Sequence, residues 1–222
     1  MIYMGCSPHC GRGGGNKVES RGKDMMDLRE LLLNELAEIY DAEKQQTAAF
    51  SKLAGAADSP ALQRALEKHL EQTWEHIQRV EEVFDTLEAK IGGKRSDAMA
   101  GLIAEGLERV EAEADPPVKD AALILAVQKI EHYEIASYGG LRTWAELLGR
   151  DEAAMLLEQT GDEEKEAGDL LNDIAGSINI EAAERGDENE ILLAAYKPPR
   201  QTAPSKKSGG RAKRTAISRR RR

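Results

Sequence analysis

The chain has 222 residues, enough for one sizeable domain with extensions, and 41% hydrophobic residues with only 4% aromatic argue for helices rather than sheets. No run approaches the ~18 apolar residues of a membrane span and the opening MIYMGCSPHCGRGGG has no apolar centre, so neither a membrane protein nor a secretory signal is expected, and the expected compartment is the cytoplasm. The net charge of −9 conceals a division, because residues 197–222 hold eleven Lys or Arg and no Asp or Glu, which leaves the preceding chain strongly acidic.

Residues 1–24 are Gly-rich and aperiodic, and read as a disordered leader. Cys6, His9 and Cys10 offer three metal ligands there, but the second half of a zinc site is missing. With only two cysteines, the fold is not held by a disulfide framework. A first helix is predicted from Asp27 to Ala54, with Asp27 and Glu30 spaced as a capping box. At 100° per residue its inward stripe is Leu28, Leu32, Glu35, Ile39, Ala42, Glu43, Gln46, Phe50 and Leu53. A second helix opens at Ser59 with Pro60 in the first turn and continues to about Lys90. Its stripe is broken by His69, Thr73 and His76. The short join makes these two helices antiparallel neighbours.

From Ile91 to Val118 the pattern changes to a connection with one shorter helix, Ser96 to Glu113, long enough to cross a bundle. The next long helix begins after Pro117 and ends at Gly149, with Val127, Ile130, Glu134, Ser137 and Leu141 on one face. Another begins at Asp151 and ends near Ile178, and Glu163 and Glu164 flank the centre of its stripe. The expected fold is therefore all-α: a ferritin-like four-helix bundle over residues 25–178, with a long helical crossover between helices 2 and 3. Residues 179–222 are read as a disordered, basic tail.

Glu43, His76, Glu134 and the Glu163/Glu164 pair fall within a turn of their helix midpoints, so packing the four stripes brings them to one level. Carboxylates buried among aliphatic side chains cost several kcal/mol each unless paired, protonated or bound to metal. A di-iron or di-manganese carboxylate site requires ligands of this kind from four facing helices. The competing reading is a hydrogen-bonded polar layer that fixes helix register. Away from the midpoint, Glu35 and His69 fit core hydrogen bonding, with His69 a second candidate source of nitrogen. Tyr40, Tyr133 and Tyr138 either pack or assist redox chemistry. The usual pattern of Glu followed by Glu-x-x-His is incomplete, since Thr73 precedes His76 and Ala167 stands at the stripe centre after Glu163 and Glu164. A one-metal, asymmetric or vestigial site is thus an open alternative.

The segments AEKQ (42–45), HLEQT (69–73), KDAALILAVQKIEHYEIASYGGLRTWAELLG (119–149) and EEKEAGDLL (163–171) resemble the YciF-type stress proteins of bacteria, a ferritin-like family catalogued as a domain of unknown function. The resemblance implies a rubrerythrin-like bundle, commonly dimeric and cytoplasmic, with a di-iron site and a link to stress responses. It supports Glu43, Glu131, Glu134 and Glu163 or Glu164 as metal ligands, while members of the family often carry Gln where this chain has His76. Gly139-Gly140, costly inside a helix, fits close approach to the crossover or to a second subunit.

The expected function is a bacterial stress-response protein binding iron, in which peroxide or oxygen reacts at a site formed by Glu43, His76, Glu131, Glu134, Glu163, Glu164 and His69. The alternative is a non-enzymatic helical homodimer whose basic tail, residues 197–222, contacts DNA without reading sequence, as no aromatic residue follows Tyr196.

Overall fold

A computed structural model describes residues 26–186. The leader with Cys6, His9 and Cys10 and the basic segment 197–222 lie outside the described residues. Five helices, and no strand among the described residues, make up the fold: α1 (Leu28–Ala56), α2 (Pro60–Thr86), α3 (Asp97–Glu111), α4 (Pro116–Leu147) and α5 (Asp151–Gly186). None is long and apolar enough to cross a membrane.

The helix starts follow from local chemistry. Asp27 accepts from the Glu30 amide at 2.8 Å while the Glu30 carboxylate accepts from the Asp27 amide, which closes the expected capping box. Ser59 and Ser96 cap α2 and α3 through their hydroxyls, and prolines occupy the first turns of α2 and α4, where no amide hydrogen is needed.

Two helix ends differ from expectation. The second helix stops at Thr86 rather than near Lys90, because Glu88 turns into the left-handed region at φ 51° and the Ala89 amide bonds back to the Phe84 carbonyl. The last helix continues past Ile178 to Gly186, so residues 179–186, expected in the tail, are helical. Their sequence, Asn-Ile-Glu-Ala-Ala-Glu-Arg-Gly, contains good helix formers, and intrinsic propensity carries the helix on where the apolar period fades.

Long-range bonds give the helix directions. Arg29 donates to the Leu87 carbonyl and Tyr40 to Glu81, so α1 and α2 run antiparallel. Gln128 donates to Asn172 while Arg142 pairs with Glu158, which makes α4 and α5 antiparallel. At the start of α4 the buried Asp120 carboxylate accepts from the Asp58 and Ser59 amides at 2.9 and 2.7 Å, fixing that helix to the α1–α2 turn. The segment between Leu87 and Asp120 therefore carries the chain from one end of α2 back to the other. Its helix α3 packs on α1 and α4, burying Met99.

The core is aliphatic, with Leu32, Leu36, Leu53, Leu62, Leu66, Val80, Leu123, Val127, Ile130 and Leu141 at 1% exposure or less, joined by Phe50 and Phe84. Gly139 and Gly140 do not mark close approach within the chain, because a β-carbon built at either meets nothing within 4 Å. The close approach lies at Gly161 instead. There a β-carbon would come 3.3 Å from that of Tyr138, so the absent side chain lets α5 sit against α4.

Candidate metal centre

In the middle of this core lies a layer of polar side chains shut off from solvent. Glu43, Gln46, Thr73, His76, Glu131, Glu134 and Glu164 are 0% exposed and His69 is 4% exposed. Each arrives by helical periodicity: Glu43 and Gln46 one turn apart on α1, His69, Thr73 and His76 along one face of α2, Glu131 and Glu134 on α4, and Glu164 on α5.

The ligand atoms collect into two groups. His69, Glu131, Glu134 and Glu164 each offer one atom within 4.8 Å of the others, and Glu43, His76 and Glu164 do the same. Glu164 belongs to both. His69 Nε2 lies 3.3 Å from Glu131 Oε1 and 3.7 Å from Glu164 Oε2, and His76 Nδ1 lies 2.8 Å from Glu164 Oε1 and 3.6 Å from Glu43 Oε1.

Contact here is not hydrogen bonding. Both nitrogens of His69, Nδ1 of His76, both oxygens of Glu131 and Glu164, one oxygen each of Glu43 and Glu134, and Oε1 of Gln46 have no partner in hydrogen-bond geometry. Those are ten atoms, and at even the low end of the ~1–3 kcal/mol each buried unsatisfied group costs, they rival the ~5–15 kcal/mol stability of a whole domain. Atoms that approach one another without aiming hydrogen bonds at one another form groups that could hold a shared cation.

Electrostatics agree with that arrangement. Burial, reinforced by neighbouring carboxylates, pushes Glu131 and Glu134 well above the usual carboxylate range, so without a cation they take up protons. Burial also raises Glu43, against the opposing pull of His76. Burial lowers His69, which favours the neutral imidazole with one ring-nitrogen lone pair to offer. His76 behaves differently: burial opposes its charge, but Glu164 and Glu43 outweigh it and bring it up to about 10. Glu164 is likewise disfavoured by burial, yet the imidazoles of His69 and His76 bring it down to about 2.

A second layer braces part of the centre. Glu163, placed beside Glu164 in sequence, belongs to neither ligand group and sits at the rim. It accepts from Arg79 at 2.9 and 3.3 Å and faces His76 Nε2 at 3.0 Å, and Arg79 also donates to Thr160 at 2.8 Å. With Nε2–H directed at Glu163, Nδ1 of His76 would face the interior as the ligand nitrogen once its proton is displaced. The Tyr138 hydroxyl donates to Glu43 Oε1 at 2.5 Å, and the Gln46 amide donates to Glu134. Tyr40 and Tyr133 are engaged elsewhere, with Glu81 and Ser96. Glu35 is at the surface, paired with Lys94.

Of the seven residues singled out in the sequence, six are thus brought together and Glu163 is set one step outside. His69, left open in the sequence between a core histidine and a second source of nitrogen, lies within one of the two groups. The layer is not one level: His69 and His76 are two turns apart on α2, about 10 Å of helix rise. Arg79 and Asp120 were missed. Each is a polar residue that acts between helices, and a single helix's period gives no sign of it.

Comparison with known proteins adds kinship. A family model described as "Domain of unknown function (DUF892)" matches residues 27–184. Protein YciF of Escherichia coli is 43% identical over 161 residues, covering 72% of this chain and 97% of YciF. The crystal structure of that E. coli stress protein superposes with a TM-score of 0.68 over 69% of this chain and 98% of its own. YcfI from Rhodopseudomonas palustris has a TM-score of 0.65 at 41% identity, over 68% of this chain and 96% of its own. A Xanthomonas campestris protein at 24% identity and TM-score 0.56, over 71% of this chain and 97% of its own, shares the fold.

Proposed function

The chain belongs to the DUF892 family, and from that premise we propose that its buried centre binds two divalent metal ions, iron foremost with manganese second, inside a ferritin-like four-helix bundle. The observation that carries this reading is the sharing of Glu164 between two buried ligand groups. One position draws on His69, Glu131, Glu134 and Glu164, the other on Glu43, His76 and Glu164. Four carboxylates and two imidazoles, His76 having released its Nδ1 proton on binding, would balance two dications, so the filled site is electroneutral in a core where net charge is costly. Oxygen and imidazole donors without sulfur suit iron or manganese.

The bundle consists of α1, α2, α4 and α5, with α3 on the crossover; the opposed directions of α1–α2 and α4–α5 and the return of the chain to Asp120 support it. Iron bound there would supply two electrons to oxygen or peroxide. The protein's own residues bury the site, favour the neutral form of His69, turn Nδ1 of His76 inward through Glu163, and orient Glu43 and Glu134 through Tyr138 and Gln46. A stress-response role, matching the description of YciF as a stress protein, follows from such oxidant handling in a cytoplasmic homodimer.

A second reading, a non-enzymatic homodimer whose segment 197–222 contacts DNA, draws on the eleven positive charges there. Metal analysis of protein purified without a histidine tag, followed by anaerobic Fe(II) titration of wild type and Glu134→Ala with oxygen added afterwards, separates the two. Two irons per chain, with the oxidation absorbance lost in the variant, is the expected result. No bound metal and identical titrations overturn it in favour of the second reading.

A further inference from the structure

A small cavity of about 20 Å³ lies between α2, α4 and α5. At its inner side are His69 and Glu131, which carry four of the unpartnered atoms of the centre. At its outer side are Leu170, 40% exposed, and the exposed Lys68. Most of the remaining lining is aliphatic, including Ala65, Val127 and Ala167. The volume exceeds the ~10–15 Å³ that one water requires, so a molecule of one or two heavy atoms fits. Charged molecules are disfavoured by the aliphatic wall and branched ones by the volume. Ala167 explains the space: it lies three residues after Glu164 on α5, and any larger side chain there projects into the cavity.

Resting on the metal-binding reading above, we infer that this cavity is the path by which a small neutral oxidant, dioxygen or hydrogen peroxide, reaches the His69–Glu131 half of the centre, and that Ala167 and Leu170 set its size limit. In the overall reaction hydrogen peroxide takes one electron from each of two Fe(II) and two protons from solvent, its O–O bond breaks and two waters leave. With dioxygen, the same two electrons and two protons give hydrogen peroxide. The inner half of the path is completed by His69 and Glu131, whose ring nitrogens and carboxylate oxygens have no hydrogen-bond partner within the protein.

Dioxygen itself is the probe for the path, applied under pressure to the metal-free protein. Its paramagnetic broadening should be severalfold larger at the methyls of Val127 and Leu171, which line the cavity, than at those of Leu32 and Leu36, which are equally buried elsewhere. Ala167→Leu should remove that excess. Equal broadening at the two sets of methyls in wild type, or an excess that survives Ala167→Leu, overturns the path whatever the metal content. Should Ala167→Leu fail to fold, the half-exposed Leu170 provides the second variant. Leu170→Ala should raise the rate of Fe(II) oxidation by tert-butyl hydroperoxide severalfold while leaving hydrogen peroxide and dioxygen rates unchanged, and an unchanged organic hydroperoxide rate overturns the size limit. A failed Fe(II) titration overturns the metal reading separately and leaves the methyl broadening to report on the path alone.

Discussion

The two halves of the buried centre share Glu164 and differ in how their imidazoles are held. His76 is tethered at Nε2 by Glu163, which Arg79 clamps in turn, and its neighbour Glu43 accepts a hydrogen bond from Tyr138. His69 has no hydrogen bond at either ring nitrogen, rests against the Phe50 ring at 5.0 Å and borders a cavity, while both oxygens of Glu131 are unpartnered. One half is braced by hydrogen bonds from outside the ligand groups, and the other is bare of them. Preorganised ligands lose less freedom on binding, so the His76 half should be the tight position and the His69 half the exchangeable, accessible one.

Removing what the halves share has the largest expected effect. Glu164→Ala should take the Fe(II) or Co(II) stoichiometry from two per chain to near none, read by anaerobic titration and metal analysis. Retention of one tight ion would show that the halves are independent. Next in size are His76→Ala and His69→Ala. The first should abolish the tight phase of a Co(II) titration, and the second should abolish the weak phase and leave the tight one. Equal damage to both phases in both variants would break the distinction between a braced and a bare half.

Much of this was legible in the sequence, and the failures have a physical pattern. Glu43, His76 and Glu134 interrupt apolar stripes of period 3.6, and burial follows directly from that period. The choice between Glu163 and Glu164 did not follow, because adjacent residues differ by 100° and the stripe centre falls between them. Glu164 turned inward and Glu163 outward to Arg79. His69 lies two turns before His76 and away from the helix midpoint, so the period alone leaves it open between a core histidine and a second source of nitrogen. The roles of Arg79, Tyr138 and Asp120 depend on which helices become neighbours, and periodicity within one helix does not encode that.

The brace itself can be weakened without touching a ligand. Glu163→Gln or Arg79→Ala should lower affinity at the His76 half by about 10–100-fold, the usual consequence of losing an outer hydrogen-bond partner. The other phase should be unchanged. Titration of the metal-free protein tests the same asymmetry by pH. His76 is raised to about 10 from 6.5, so its stabilising contribution is complete below about pH 6.5 and is lost as pH rises through about 10. Glu164, lowered to about 2 from 4.5, contributes above about pH 4.5 and loses that contribution as pH falls through about 2. Glu131 and Glu134 are raised, so they subtract stability as pH rises above 4.5. The melting temperature of metal-free protein should therefore fall from about pH 6.5 towards 10, and saturating Mn(II) should flatten that slope. A slope that metal leaves unaltered would detach these groups from the binding site.

The smallest effect is expected at Tyr138. Its hydroxyl supports Glu43 and touches no other ligand oxygen in hydrogen-bond geometry, so Tyr138→Phe should cost the His76 half about 0.5–1.5 kcal/mol, roughly tenfold in affinity at most. The His69 half, which does not use Glu43, should titrate as before. Gly161→Ala provides the control, because its new β-carbon would stand 3.3 Å from that of Tyr138 and press the ring without removing the hydroxyl. A displacement of a few tenths of an ångström lengthens the hydrogen bond to Glu43 but does not break it, so this variant should weaken the same phase by less than Tyr138→Phe does. If the alanine variant is as damaging as the phenylalanine one, helix spacing rather than the hydroxyl braces Glu43, and the difference between the two halves reduces to the clamp on His76.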